Sequence, residues 1–147
     1  MLKSEEFKVA MRQYSYSVSI ISNTSSNGEN NAITISSFTS VSLDPPSILV
    51  CINKKSSIHE SLKVNSIFCI NLLSEKQLKI AKLCSDPSKI SNRFENDEWE
   101  GTNPPKLSKS IVHLVCSVDK VIDYKTHSII IGIIKNSKVK KGQKNLL

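Results

Sequence analysis

The sequence predicts a mainly β protein, a closed or nearly closed antiparallel barrel with a few short helices. Six or seven short apolar segments recur along the 147 residues, most of them joined by hairpin-like turns. The helical stretches between them are brief, which fits an antiparallel barrel. The chain also ends in two long strand-like runs, Ile111 to Tyr124 and Thr126 to Val139, with a tight turn between them.

Ser4 to Tyr14 reads as a helix, with Ser4 as cap, Glu5 and Glu6 in the first turn, and Phe7, Ala10, Met11 and Tyr14 on one face. Ser17 to Ser22 is strand-like. A polar turn from Asn23 to Asn30 holds Asn27-Gly28, a hairpin signal, and Ala32 to Ser37 returns. Ser47 to Asn53 is a third strand. Ser57 and Glu60 are spaced as a capping box for a short helix to about Lys63. Ser66 to Leu72 is another strand. Ser74 and Gln77 form a second capping box, for a helix to about Cys84 with Leu78, Ala81 and Leu83 inward. Asp86 to Asn96 is irregular or briefly helical, and Asn103-Pro104-Pro105 is a turn before the final hairpin. The stretch Ile129 to Ile134 is apolar on both strand faces, so one face fills the barrel and the other needs a cover, a helix or a second subunit.

Length and composition describe one ordinary globular domain, with 39% hydrophobic and 22% charged residues. No apolar run approaches the roughly 20 residues that span a bilayer. Met1 to Lys8 mixes charges of both signs, so neither a signal peptide nor a membrane partner is expected, and the expected location is the cytoplasm. The net charge of +7 comes from lysine, with Arg12 and Arg93 the only arginines. That balance disfavours nucleic acid, whose bases and phosphates are read largely by arginine. It suits anionic small ligands. Cys51, Cys69, Cys84 and Cys116 show no metal-ligand spacing and read as free thiols, the first two and Cys116 in apolar strand-like segments and Cys84 at the end of an amphipathic run.

Six of the nine residues from Thr34 to Ser42 carry hydroxyls, and the run ends at Pro45-Pro46. Buried hydroxyls need partners, so this density suits the wall of a site for a polar ligand with many acceptors. The chain has four glycines, none in a GxGxxG or Walker pattern. A phosphate would therefore rest on hydroxyls, free amides and lysines. Asn53-Lys54-Lys55-Ser56-Ser57 offers that set. Its bland reading is a helix cap flanked by solvated lysines. No hydrolytic triad is present in the pattern: His59 reads as surface and His113 as structural, while His127 stands where a side chain can face a barrel mouth, although a lone histidine is more often structural. Glu95, Asp97, Glu98 and Glu100 around Trp99 read as an exposed loop rather than as paired catalytic carboxylates.

The order of these motifs resembles the short-chain flavin reductases with an FMN-binding split barrel, the reductase partners of two-component flavin monooxygenases. The resemblance is carried by Asn31 to Pro46, by Val50 to Ser57, by Phe68 to Ser74, by Arg93-Phe94 with Trp99, and by Thr126-His127 with Gly132. It implies an antiparallel split β-barrel, a single domain over 1–147 with a shortened C-terminus, and a homodimer. It implies hydride transfer from NADH or NADPH to FMN or FAD, with reduced flavin passed to a transient partner oxygenase. Thr34, Ser36, Ser37, Phe38, Thr39, Ser40 and Ser42 would then line the flavin. Asn53, Lys54, Lys55, Ser56 and Ser57 would hold its ribityl and phosphate end, Arg93 and Phe94 would flank flavin and nucleotide, and His127 would stand near the nicotinamide as the catalytic histidine. In place of the glycine common in the family's first strand stands Ser17, and Ala32 precedes the hydroxyl run. Two other readings remain: a flavin-binding barrel without efficient turnover, acting as carrier or sensor, and a basic barrel binding nucleic acid. Flavin-dependent oxidation of NADH separates the first from both.

Overall fold

A computed structural model describes residues 3–147; Met1 and Leu2, at the start of the charged N-terminal stretch, lie outside it. The elements are α1 (Ser4–Met11), β1 (Ser19–Thr24), β2 (Asn30–Ile35), β3 (Thr39–Leu43), β4 (Pro46–Asn53), β5 (Ile67–Leu72), α2 (Leu78–Ser85), β6 (Trp99–Glu100), β7 (Lys106–Leu107), β8 (Val112–Tyr124) and β9 (His127–Val139). Seven strands form one sheet in the order β2-β1-β5-β8-β9-β4-β3, each pair antiparallel, while β6 and β7 pair separately.

That order forces the sheet to roll. Its two edges, β2 and β3, are consecutive in the chain and joined only by Ser36, Ser37 and Phe38. Four residue steps reach about 14 Å at most, whereas the outer strands of a flat seven-stranded sheet lie about 29 Å apart. The core agrees: Ile21 and Ile35 from one end meet Ile48, Val50 and Ile52 from the other, around Phe68, Ile70, Val118 and Ile130. In place of a β2–β3 ladder, the Ser37 Oγ donates to the Cys51 carbonyl at 3.0 Å and accepts its N–H at 3.3 Å. The architecture is a split barrel, as the sequence predicts. Gly132 sits at a close approach inside the barrel, since a Cβ there would lie 2.6 Å from Phe68 Cζ.

A second core lies outside the barrel, where α2 covers β2 and β1. Ile80, Ala81 and Cys84 pack on Ile20, Ala32, Leu73 and Leu107, with Phe94, Trp99 and Leu146 closing the side. Asn71 fastens this layer: its Nδ2 donates to Ile20 O and Ser22 Oγ, and its Oδ1 accepts Leu107 N, all within 3.0 Å. On the opposite side, β4, β9 and β8 expose a different face. Registered pairs place Leu49 by Ile131 and Cys51 by Ile129, which in turn pairs with Ile122, all half-buried or exposed.

Several local expectations shift. The first helix begins after Lys3, whose N–H is capped by the Glu6 carboxylate at 3.2 Å, and none of its residues is buried, because the apolar face expected to pack meets no core. The Ser57–Glu60 capping box does not form. Ile58 is drawn fully into the core instead, leaving a 3-10 turn at His59–Ser61. The Ser74–Gln77 box does form, with Ser74 N donating to Gln77 Oε1 at 2.9 Å. The helix it opens turns Ile80, Ala81 and Cys84 inward and leaves Leu78 half exposed, a rotation away from the expected face. The hydroxyl run is not one loop ended by Pro45-Pro46. It spans the end of β2, the seam link and the exposed edge strand β3, and the prolines shape the β3–β4 turn.

Candidate functional site

The end of β2, the turn after β4 and the end of α2 converge on a cavity of about 350 Å³. Asn53, Lys55, Ser56 and Ser57 form one wall, Ile33 and Thr34 a second, and Cys84, Ser85, Pro87, Ile90 and Arg93 the third. The Asn53–Ser57 turn is held in shape by its own polar groups. Asn53 Oδ1 accepts Lys55 N at 2.9 Å, and Ser56 Oγ donates to Asn53 O at 2.7 Å. Thr34 Oγ1 donates to Ala81 O at 2.6 Å, tying β2 to α2 and leaving the oxygen's lone pairs as acceptors.

Arg93 is the feature that stands out chemically. It is 4% exposed, with Nη1 donating to Ala32 O at 2.7 Å and Nη2 to Asp86 O at 2.9 Å. Its Nη1 also lies 3.5 Å from Ser57 Oγ, while its buried Nε has no partner. Among the described residues no carboxylate pairs with it. Asp86 turns its carboxylate instead to Ser88, whose N–H and hydroxyl hold it below its usual value. Burial lowers the Arg93 guanidinium from its ordinary value, but arginine stays charged at any working pH. A buried cation bonded only to carbonyls and a hydroxyl makes this wall a place for an anion. Cys84 beside it is a neutral thiol, pushed up to about 11 by burial.

The other sequence-predicted residues are distributed around this cavity. Lys54 turns away to an ion pair with Asp123. Phe94 lies in the second core, its ring centroid 4.5 Å from that of Trp99, whose indole N–H donates to Arg93 O. Phe38 packs against the barrel core, and Ser37 secures the seam. Ser36, Thr39, Ser40 and Ser42 are exposed and outside the cavity lining, with Ser42 Oγ accepting Asp44 N at 3.3 Å. His127 is half-buried at the start of β9, registered opposite Asn53, and its Nδ1 lies 2.8 Å from Thr126 Oγ1. His113 is buried and bonded to Leu107 O at 2.6 Å, the structural role expected. The α2 end, Pro87 and Ile90 were not foreseen; the signal available was the Asp86-Pro87 helix stop a few residues before Arg93. His59, a surface residue by the sequence pattern, is half-buried, and its Nε2 lies 2.8 Å from the buried Ser128 Oγ.

Residues 11–147 match the family of the flavin reductase like domain. The chain is 28% identical to the reductase component of an FADH(2)-dependent resorcinol hydroxylase from Rhizobium sp. (strain MTP-10005), covering 97% of this chain and 82% of that one. It is 32% identical to an NADH:riboflavin 5'-phosphate oxidoreductase from Streptomyces pristinaespiralis, covering 87% and 73%. Among solved structures, an NADH:FAD oxidoreductase from Streptomyces globisporus, in complex with NAD and FAD fragments, superposes with a TM-score of 0.84 at 25% identity, covering 99% of this chain and 90% of that one.

Proposed function

The chain belongs to the flavin reductase-like domain family, and from that premise we propose that it is an NAD(P)H:flavin oxidoreductase, transferring a hydride from NADH or NADPH to FMN or FAD. The observation that carries the reading at the level of the site is Arg93, a buried guanidinium with no carboxylate partner among the described residues, lining the same cavity as Lys55, Ser56 and Ser57. Leaving a buried charge uncompensated costs several kcal/mol, roughly 3–5 when a partner is removed. A flavin phosphate against this wall offsets that cost, and the donor set fits it.

A bound flavin supplies the hydride acceptor, so the chain needs no acid–base pair of its own. Its task is to hold two rings in register and exclude water. Lys55, Ser56, Ser57 and Arg93 take the phosphate, Asn53 and Thr34 face the ribityl chain, and Ile33 and Ile90 give the ring apolar contact. Ser37 and Phe38 brace the wall from behind. His127 orients the nicotinamide.

A second copy of the chain covers the apolar face of Leu49, Cys51, Ile129, Ile131 and Ile133, an area too apolar for a free surface. Sedimentation of wild type as a dimer and of Ile131→Asp as a monomer is the expected outcome; a monomeric wild type at micromolar concentration sinks this part. The single domain acts in the cytoplasm and passes reduced flavin to a transient oxygenase, as its resemblance to a hydroxylase's reductase component supports. Among the described residues no helix is long and apolar enough to cross a membrane.

The decisive measurement follows nicotinamide absorbance with NADH or NADPH and FMN, FAD or riboflavin. Oxidation that depends on added flavin is expected. Folded protein that binds FMN but gives flat traces in every combination would return the chain to the carrier reading.

A further inference from the structure

His59, expected to be a solvated helix residue, is tied to the interior, and its place in the chain gives that tie a function. The turn Asn53–Ser57 leaves β4 and must be aimed at the cavity. Its internal bonds fix its shape but not its direction. On one side it is moored by Lys54 N, which donates to Thr126 O at 3.0 Å, and by the Lys54–Asp123 pair. Asp123 of that pair is exposed and Lys54 half-buried, so the pair is partly screened and weak. On the other side, Ile58 is fully buried and His59 Nε2 meets Ser128 Oγ at 2.8 Å, with Ser128 2% exposed. Apolar burial is non-directional, whereas a hydrogen bond, here half-buried with its serine inside, sets an orientation. Ser128 is also the neighbour of His127 on β9, so the tie fastens the turn to the strand that carries that histidine.

We infer that His59 is a positioning residue: through Ser128 it pre-aims the Ser56–Ser57 turn, so that phosphate is met by donors already in place. The inference rests on the reading of that turn as the phosphate site. Without the tie, the turn's direction is left to be fixed at the moment of binding, and that cost falls on the phosphate.

The experiment compares FMN with riboflavin, which lacks the phosphate, by quenching of flavin fluorescence in wild type, His59→Ala, Ser128→Ala and His59→Gln. The preference for FMN should fall roughly three- to tenfold in the first two variants, the range of one hydrogen bond. Riboflavin affinity should stay unchanged. His59→Gln, whose amide reaches Ser128, should restore the preference. An intact preference in His59→Ala overturns the inference, and so does an equal loss of both ligands, which makes His59 merely structural. Wild type without any preference for FMN overturns the phosphate turn itself, a distinct failure from the first two.

Discussion

Ser37 commits its hydroxyl to both backbone groups of Cys51, while Ser57 borders the cavity with Arg93 Nη1, 3.5 Å away, as its partner. The two serines therefore separate stability from binding. Ser37→Ala should lose about 1 kcal/mol of stability, the net worth of a hydrogen bond, with flavin affinity little changed. Ser57→Ala should weaken FMN binding several-fold at an unchanged melting temperature. Thermal melts and flavin titrations of the two variants check both, and a reversed pattern would misplace the wall. At this scale the sequence was legible where the site is contiguous: Asn53, Lys55, Ser56 and Ser57 read as a phosphate cradle because hydroxyls, amides and an ammonium follow one another. It was silent where partners are distant. Nothing near His59 announces Ser128, and nothing near Arg93 announces that its guanidinium reaches back to the Ala32 carbonyl.

Among the elements, β9 carries a sharp geometric demand at Gly132. A methyl group there meets Phe68 Cζ at 2.6 Å and Cys116 Cβ at 3.1 Å, both in the packed barrel core. Gly132→Ala should cost about 1–3 kcal/mol through overpacking. Pairing it with Phe68→Leu, which makes room, should recover part of that loss in urea unfolding. Additive losses would show that the clash is not with Phe68. Hairpins were legible because turn and strands are local: Gly28, at φ +87°, makes the β1–β2 turn that Asn27-Gly28 predicts. The two capping boxes show where local reading ends. At Ser74 the apolar spacing beyond the box matches the second core, and the helix forms. At Ser57 the barrel takes Ile58 instead, and the same pattern yields one turn.

For the molecule as a whole, three buried thiols predict how it fails in alkali. An ordinary thiol titrates near 9.0, while burial pushes Cys69 and Cys116 up to about 12 and Cys84 to about 11. Unfolded chains release these protons first, so their contribution to stability is intact below pH 9.0 and lost as pH rises through about 11 to 12. The urea midpoint should fall steeply above about pH 9, and less steeply in Cys69→Ala. An equal slope in that variant would assign the alkaline loss to other groups. The barrel class was legible in the recurrence of short strands, but its edges were not, since strand order is a non-local property that only the closed sheet settles.

The place of β4 between β3 and β9 bears on how the chain is made. Every side chain lining the cavity has been synthesised once the ribosome has passed Arg93. Yet β4, which carries Asn53, has β3 as its only sheet neighbour until β9 begins at His127. The cavity-lining groups are thus encoded early and supported late, and a growing chain holds all of them well before it has a barrel to mount them on.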